Sequence, residues 1–441
     1  MKKMMILLLI AIPAGSFSQE KVWTLEECIE YAVRHNPQHA KQAAQNEIYK
    51  YNQREAIGGF LPSLNIGTGA AMNFGRGVDP ETNTYISTNT FSNSYDVYSS
   101  LTLFDGFAQI YRAKMAKINR LKGKEELQAL MDKTTFEVME IFFNVLYYKG
   151  TVKLAEQQLE ESARNLKKFR RMEELGLKSI PDLAEIQAKE AEDRFLFTRQ
   201  INLYNMEVIK LKEKMNWPVE EELLIKDYEQ MPLISAGTQD VTEIYQQALS
   251  VLPKVSASAQ SLSATRMEHY IARGRLFPSL SMNAGFSTGF SRLMDGTSYM
   301  SFSEQLKLRE GTYVSVSLSI PLFNGFSRSS EWKRSKQRIV IARHQHEELL
   351  RQVYSEVEQA VADVNGLSDE YRHARQRTVA MQSAHEMNLR KYEEGLIDAI
   401  ELSTSSNRLL NSRVEELYTN LKYQLKYKLL NYYKGNMSFE L

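Results

Sequence analysis

Residues 60–74 read Phe-Leu-Pro-Ser-Leu-Asn-Ile-Gly-Thr-Gly-Ala-Ala-Met-Asn-Phe, and this stretch decides the fold. Leu64, Ile66, Ala70, Met72 and Phe74 fall on one side, with Asn65, Gly67, Gly69 and Asn73 on the other. A period of two is the signature of a strand with one apolar face. The polar side discriminates between two kinds of strand. A soluble sandwich turns charged residues toward water, whereas here that side is small and uncharged, as on the lumen wall of a lipid-embedded barrel. Three more segments share the pattern: Tyr95, Val97, Leu101 and Leu103 against Asp96, Ser100 and Thr102; Leu280, Met282, Ala284, Phe286 and Phe290 against Ser281, Asn283, Gly285, Ser287 and Gly289; and Val314, Val316, Leu318 and Ile320 against Ser315, Ser317 and Ser319. A sheet packed in water remains the alternative reading of these strands.

The chain is written twice. Phe-Leu-Pro-Ser-Leu at 60–64 returns as Leu-Phe-Pro-Ser-Leu at 276–280, and Leu-Phe-Asp-Gly-Phe at 103–107 returns as Leu-Phe-Asn-Gly-Phe at 322–326. Pro37 pairs with Pro253 at the first offset of 216 residues, and Gly176 with Gly395 at the second of 219. A unit of that length is a duplicated domain rather than a solenoid repeat. In each copy a helix (Thr24 to about Gly58, and Val241 to Gly274) leads through Pro62 or Pro278 into the strands, expected at about 63–75 and 92–104, then at about 279–290 and 312–321.

Long helices follow. No proline lies between Pro80 and Pro181 or after Pro321. Val138, Val145, Val152, Leu159 and Leu166 step by seven, with Ile141, Tyr148, Ala155 and Phe169 interleaved, which is a coiled-coil seam. Val357, Ala360, Val364, Leu367, Tyr371, Ala374 and Met381 occupy the matching rows of the second copy. Long helices are expected over 107–175 and 326–394, each about 100 Å long. Gly176 and Gly395 end them, and Asp182 and Asp398 start the returning helices, 182–217 and 398–434. The expected organisation is a signal peptide at 1–18, a first repeat over 19–217, a linker over 218–240 with Pro232 and Gly237, and a second repeat over 241–441.

The signal peptide is read from Lys2 and Lys3, the apolar run Met4–Ile12 and the small-residue end Ser16-Phe17-Ser18, with cleavage before Gln19. The whole chain carries 55 Lys and Arg against 54 Asp and Glu; losing two lysines leaves 53 against 54, a charge of −1. That balance argues against a nucleic-acid partner. Cys28 is the one cysteine, so a disulfide within the chain and a cysteine metal cluster are excluded, and it reads as a buried small residue without a lipidation motif around it. Beyond the signal no apolar run reaches the roughly 18 residues of a spanning helix, a test that is blind to barrel strands.

Four membrane strands cannot close a barrel, and an open edge in lipid leaves backbone groups unpaired. Three copies would supply twelve. With its duplicated plan, the Pro-Ser-Leu and Phe-Asp/Asn-Gly-Phe elements and the glycine at each hairpin tip, the chain resembles the TolC family of outer-membrane efflux proteins over its whole mature length. The fold this implies is mainly α with a β-barrel portion: a duplicated helix–β-hairpin–long-helix–short-helix unit, three copies forming an α-helical barrel continuous with a 12-stranded outer-membrane β-barrel. The function implied is a passive exit duct of a tripartite efflux or type I secretion system, for small molecules or proteins. Its expected partners are two further copies of the chain, a periplasmic adaptor, an inner-membrane pump of RND or ABC type and outer-membrane lipid, and it needs no cofactor. An exported soluble coiled-coil scaffold without transport activity is the alternative.

The family closes its periplasmic end just past the tip glycines. By position this assigns the closed-state bond to Asp182 and Tyr392 and an acidic ring to Glu401; the second ring position holds Thr404, and the basic partner's position holds Ile397. Helix capping by Asp182, a macrodipole role for Glu401 and plain coiled-coil surface for Tyr392 are the competing readings. Arg171, Gly176, Leu177, Arg390, Gly395 and Leu396 are the expected adaptor-docking tips. His35 and His39 read as surface histidines, because Pro37 separates them and no metalloprotease pattern accompanies them; His344 and His346 point to different helix faces. Gly67-Thr-Gly69 opens no helix and is no dinucleotide loop. With no phosphate-binding loop and no nucleophile elbow, an enzyme is not expected.

Overall fold

The computed structural model describes residues 21–78, 83–87, 89–227, 239–294 and 300–436. The signal-peptide segment, the middle of the linker with Pro232 and Gly237, and parts of the two connections between paired strands lie outside the described residues.

In chain order the elements are β1 (Val22–Trp23), α1 (Leu25–His35), α2 (Pro37–Gly58), β2 (Ser63–Asn73), β3 (Arg76–Val78), β4 (Tyr85–Ser87), β5 (Thr90–Phe104), α3 (Ala108–Glu174), α4 (Ile180–Met215), β6 (Leu224–Ile225), α5 (Val241–Val251), α6 (Pro253–Gly274), β7 (Ser279–Leu293), α7 (Phe302–Leu308), β8 (Gly311–Ser319), α8 (Ser327–Glu393) and α9 (Ala399–Tyr433). The single helix expected at the start of each copy is two helices. Asn36 and Leu252 sit in extended backbone, ψ 119° and 117°, because Pro37 and Pro253 disfavour helical geometry in the residue before them and themselves fit a first helical turn. The connections within the two strand pairs carry structure of their own, the β3–β4 ribbon and helix α7.

Two compact units emerge, and neither is a repeat: each takes pieces of both copies. The first comprises the described residues of Met1–His39, Leu130–Val251 and Ser355–Leu441. Its main core joins Cys28, Ile29, Val138, Met139, Phe142, Val145, Leu211 and Met215. A capping box between Thr24 and Glu27 starts α1, with Thr24 N–H donating to Glu27 Oε2 at 2.9 Å. β1 lies parallel to β6 beside it. The heptad seam is buried where the sequence places it, at Val138, Val145, Ala155 and Phe169 in α3 and at Val357, Ala360, Val364, Leu367 and Tyr371 in α8. Cys28 is enclosed, and burial pushes its thiol up to about 12, so it packs as an inert apolar residue. His39 corrects the surface reading: it is buried, with Nδ1 2.8 Å from Val33 O and Nε2 2.9 Å from Thr134 Oγ1. The kink at Pro37 turns it inward.

The second unit holds Ala40–Ala129 and Leu252–Tyr354. Its centre is a four-stranded antiparallel sheet in the order β2-β5-β7-β8. Register aligns the apolar sides of all four strands. Ile66 lies opposite Val97, Val97 opposite Phe286, Leu101 opposite Met282 and Met282 opposite Val316, while Gly67, Asp96, Ser287 and Gly311 run across the other face. The apolar face is uncovered on the outer strands: Ile66 is 81% exposed and Val314 68%. β8 pairs with β7 only as far as Ser287. Past that point α7 covers β7, with Gln305 Oε1 accepting the Ser291 N–H at 3.0 Å and Phe302 packing on Phe290 at 5.2 Å.

The Phe-Asp/Asn-Gly-Phe element builds the joint from strand to long helix. Gly106 and Phe107 (φ 67° and 66°), like Gly325 and Phe326 (φ 61° and 62°), are consecutive left-handed residues. That reversal brings the flanking phenylalanines edge to face, Phe104 on Phe107 at 5.2 Å and Phe323 on Phe326 at 5.5 Å. Asp105 Oδ1 then accepts the Gln109 N–H at 3.0 Å, satisfying a donor in the first turn of α3.

Candidate periplasmic gate and hairpin tips

Both helical hairpins turn by the same device. Gly176 (φ 74°) donates from its N–H to Glu173 O at 2.8 Å, and Leu177 to Met172 O at 2.8 Å. Gly395 (φ 77°) donates to Tyr392 O at 3.1 Å, and Leu396 to Lys391 O at 2.9 Å. This is a Schellman closure, which needs a residue tolerant of the left-handed region. The turns leave Leu177 65% and Leu396 67% exposed. Arg171 and Arg390 lie on the exposed surface close by, Arg171 paired with Glu174 at 2.9 Å.

The next helix does not start at Asp182. Ser179 is the N-cap of α4 and Asp182 its third residue, closing a capping box: Ser179 Oγ donates to Asp182 Oδ2 at 2.7 Å and Asp182 N–H to Ser179 Oγ at 3.3 Å. In the second copy Asp398 is itself the cap, accepting the Glu401 N–H at 2.8 Å. Asp182 and Glu401 therefore occupy the same place in the two repeats. The Ser179 hydroxyl holds the Asp182 carboxyl below its usual range. A lowered folded-state pKa stabilises the cap above the ordinary carboxylate pKa, and that contribution fades as pH falls through the folded value.

Tyr392 is not coiled-coil surface. It is 1% exposed, in a cluster with Phe169, Ile186, Ala399 and Leu402. Its ring stacks at a tilt on Phe169 with centroids 4.8 Å apart, and Lys178 Nζ lies 4.5 Å from its centroid. The hydroxyl has no hydrogen-bond partner among the described residues. Burial, then the nearby Asp182 and Asp398 charges, push it up to about 12. Asp182 and Tyr392 thus sit close enough to interact, but here the carboxylate is turned onto Ser179. Glu401 and Thr404 are exposed on α9, with Thr404 Oγ1 donating to Ile400 O at 2.8 Å. Ile397 packs partly into the Tyr392 cluster.

Sequence reasoning missed a second polar group, formed by Gln158, Lys189, Asp193, His385, Ser406 and Asn407. Its one legible signal was the run Ser403-Thr404-Ser405-Ser406-Asn407, polar all round where a packed helix usually carries an apolar stripe. No group of three or more metal-ligating side chains occurs among the described residues, and none of the described helices is long and apolar enough to cross a membrane.

A four-stranded sheet with one bare apolar face, joined to long antiparallel helices, defines a class of protein that places strands in a membrane and helices in water. Residues 244–433 match the family profile described as outer membrane efflux protein. Over 420 residues the chain is 21% identical to the outer membrane protein TolC of Vibrio cholerae serotype O1, covering 93% of this chain and 90% of that one. Its fold is similar to that of CusC (TM-score 0.81, 16% identity, 96% of both chains). It is also similar to VceC of Vibrio cholerae (0.79, 13%, 94% of this chain and 97% of that one) and to the CmeC outer membrane channel of Campylobacter jejuni (0.78, 13%, 95% and 87%). The match to the outer membrane efflux protein profile falls on the second repeat, and the likeness to TolC runs through both. The fold it shares is that of outer membrane channels.

Proposed function

We propose that the protein is one third of a passive exit duct that accepts cargo from a periplasmic adaptor and an inner-membrane pump and releases it outside. The observation that carries this is the sheet. Its apolar face is uncovered on the outer strands, and among the described residues its edge strands β2 and β8 each pair on one side only. In lipid such edges must be paired, and three copies of four strands make a closed barrel of twelve. Detergent extraction tests it: a heat-modifiable trimer found only in detergent supports the duct, and a monodisperse soluble species in plain buffer overturns it.

Within that reading Leu177 and Leu396, with Arg171 and Arg390 beside them, form the adaptor-docking surface, shaped by the turns at Gly176 and Gly395. The gate is formed by Asp182, Tyr392, Glu401 and Thr404. Three Glu401 carboxylates around a three-fold axis repel one another and favour cations. Glu401→Ala is therefore expected to weaken cation block and lower cation selectivity in planar bilayers; unchanged selectivity removes Glu401 from the pore. Asp182 has two uses, the Ser179 cap seen here and a bond to the buried Tyr392 hydroxyl. Asp182→Ala is expected to raise the leak of the resting channel, and an unaltered leak leaves it only the capping role.

A further inference from the structure

Beside the turns, the packing of the hairpins α3–α4 and α8–α9 is apolar, around Tyr392 and Leu402. Farther from the turns it becomes polar and stays buried. Lys189 and Asp193 are one turn apart on α4, and the Asp193 side chain is wholly enclosed. Lys189 Nζ donates to Asp193 Oδ1 and to Asn407 Oδ1, both at 2.6 Å. Gln158 Nε2 donates to Ser406 Oγ at 2.6 Å and reaches Asp193 Oδ2 at 3.3 Å. Nearby, His385 Nε2 lies 2.9 Å from Glu161 Oε1, and that bond holds the Glu161 carboxyl below its usual range. The His385 Nδ1 is buried without a partner among the described residues. A cavity of about 30 Å³ lies here, lined by Gln158, Glu161, Lys189, His385, Ser403 and Ser406, with room for a water molecule.

Three of these bonds cross from one hairpin to the other: Gln158 to Ser406, Lys189 to Asn407, and Glu161 to His385. They differ in kind from the exposed Lys168–Glu393 pair between the same hairpins, since exposed pairs contribute little. A buried charge stripped of its partner is strongly unfavourable. The cross-hairpin bonds therefore resist any shift of α8–α9 against α3–α4 until water replaces them, and the cavity gives water a place to enter.

We propose that this buried polar belt is a second lock on the resting duct, separate from the tip residues, whose three cross-hairpin bonds break together when the channel opens. The inference rests on the reading of the protein as a duct gated at its hairpin end. Single-channel recording of the purified full-length trimer in planar bilayers tests it. Asn407→Leu keeps the branching at Cγ and removes the acceptor for Lys189, so openings at fixed voltage are expected to become about tenfold more frequent, the scale of one lost bond to a charged group. Asn407→Asp retains an acceptor and is expected to stay as quiet as the parent. That rescue separates a lock from a packing role, which would not distinguish the two. Should Asn407→Leu fail to assemble, Ser406→Ala carries the same expectation. An unchanged opening rate in the Leu and Ala variants overturns the proposal, as does an equal rise in Asn407→Asp. If Glu401→Ala alters selectivity while the belt variants do nothing, the duct reading stands and the second lock alone fails.

Discussion

Val97→Arg is expected to abolish assembly in the outer membrane. Val97 sits mid-strand in β5 on the apolar face, opposite Ile66 on one side and Phe286 on the other. An arginine on the lipid face of a barrel costs about 2–4 kcal/mol near the midplane, and every protomer would carry one. The heat-resistant oligomer should disappear from membrane fractions. Ser287→Arg is the control, since Ser287 lies between Asp96 and Gly311 on the opposite face. It should assemble normally and shift conductance toward anions, because lumen substitutions tune selectivity rather than insertion. Normal assembly of Val97→Arg, or loss of assembly in Ser287→Arg alone, would mean that the apolar face does not meet lipid.

The second large effect separates the two copies of one motif. Gly106 and Gly325 are matching residues of the strand-to-helix joints, both left-handed. A side chain in that region costs about 1–2 kcal/mol at either place. Their surroundings differ. A Cβ on Gly106 would collide with the carbonyl of Gly274, which is backbone and cannot swing aside, whereas a Cβ on Gly325 meets nothing within 4 Å. Overpacking adds about 1–3 kcal/mol, so Gly106→Ala should lose about 2–5 kcal/mol and Gly325→Ala only the backbone penalty. Denaturant midpoints of the purified protein measure both, and equal losses would show that the Gly274 contact is not limiting.

Much of the plan was legible because it rests on period. Alternation over 60–74 and its three counterparts marks strands, and seven-residue steps from Val138 mark a packed helix; neither needs knowledge of what lies opposite. The tip glycines were legible for a similar reason, since a left-handed turn is a demand of local backbone geometry. Less of the gate could be read. Asp182 looks like a helix cap and Ser179 like an ordinary loop residue, yet Ser179 is the cap and Asp182 its partner. His39 looks like surface until Thr134, far along the chain, supplies its second bond.

The sequence by itself determined the four main strands, the long helices, the duplication, the apolar face of each strand and the glycine turns at the hairpin tips, because these depend on residues near one another in the chain. Only the tertiary structure decided what those elements enclose. It set the strand order that gathers four apolar faces into one, buried Tyr392 with a hydroxyl unpartnered among the described residues, joined Gln158, Lys189 and His385 to partners more than 200 residues away, and made Gly106 more crowded than its twin. Each of these depends on which atoms meet across long stretches of chain, and no local pattern carries that information.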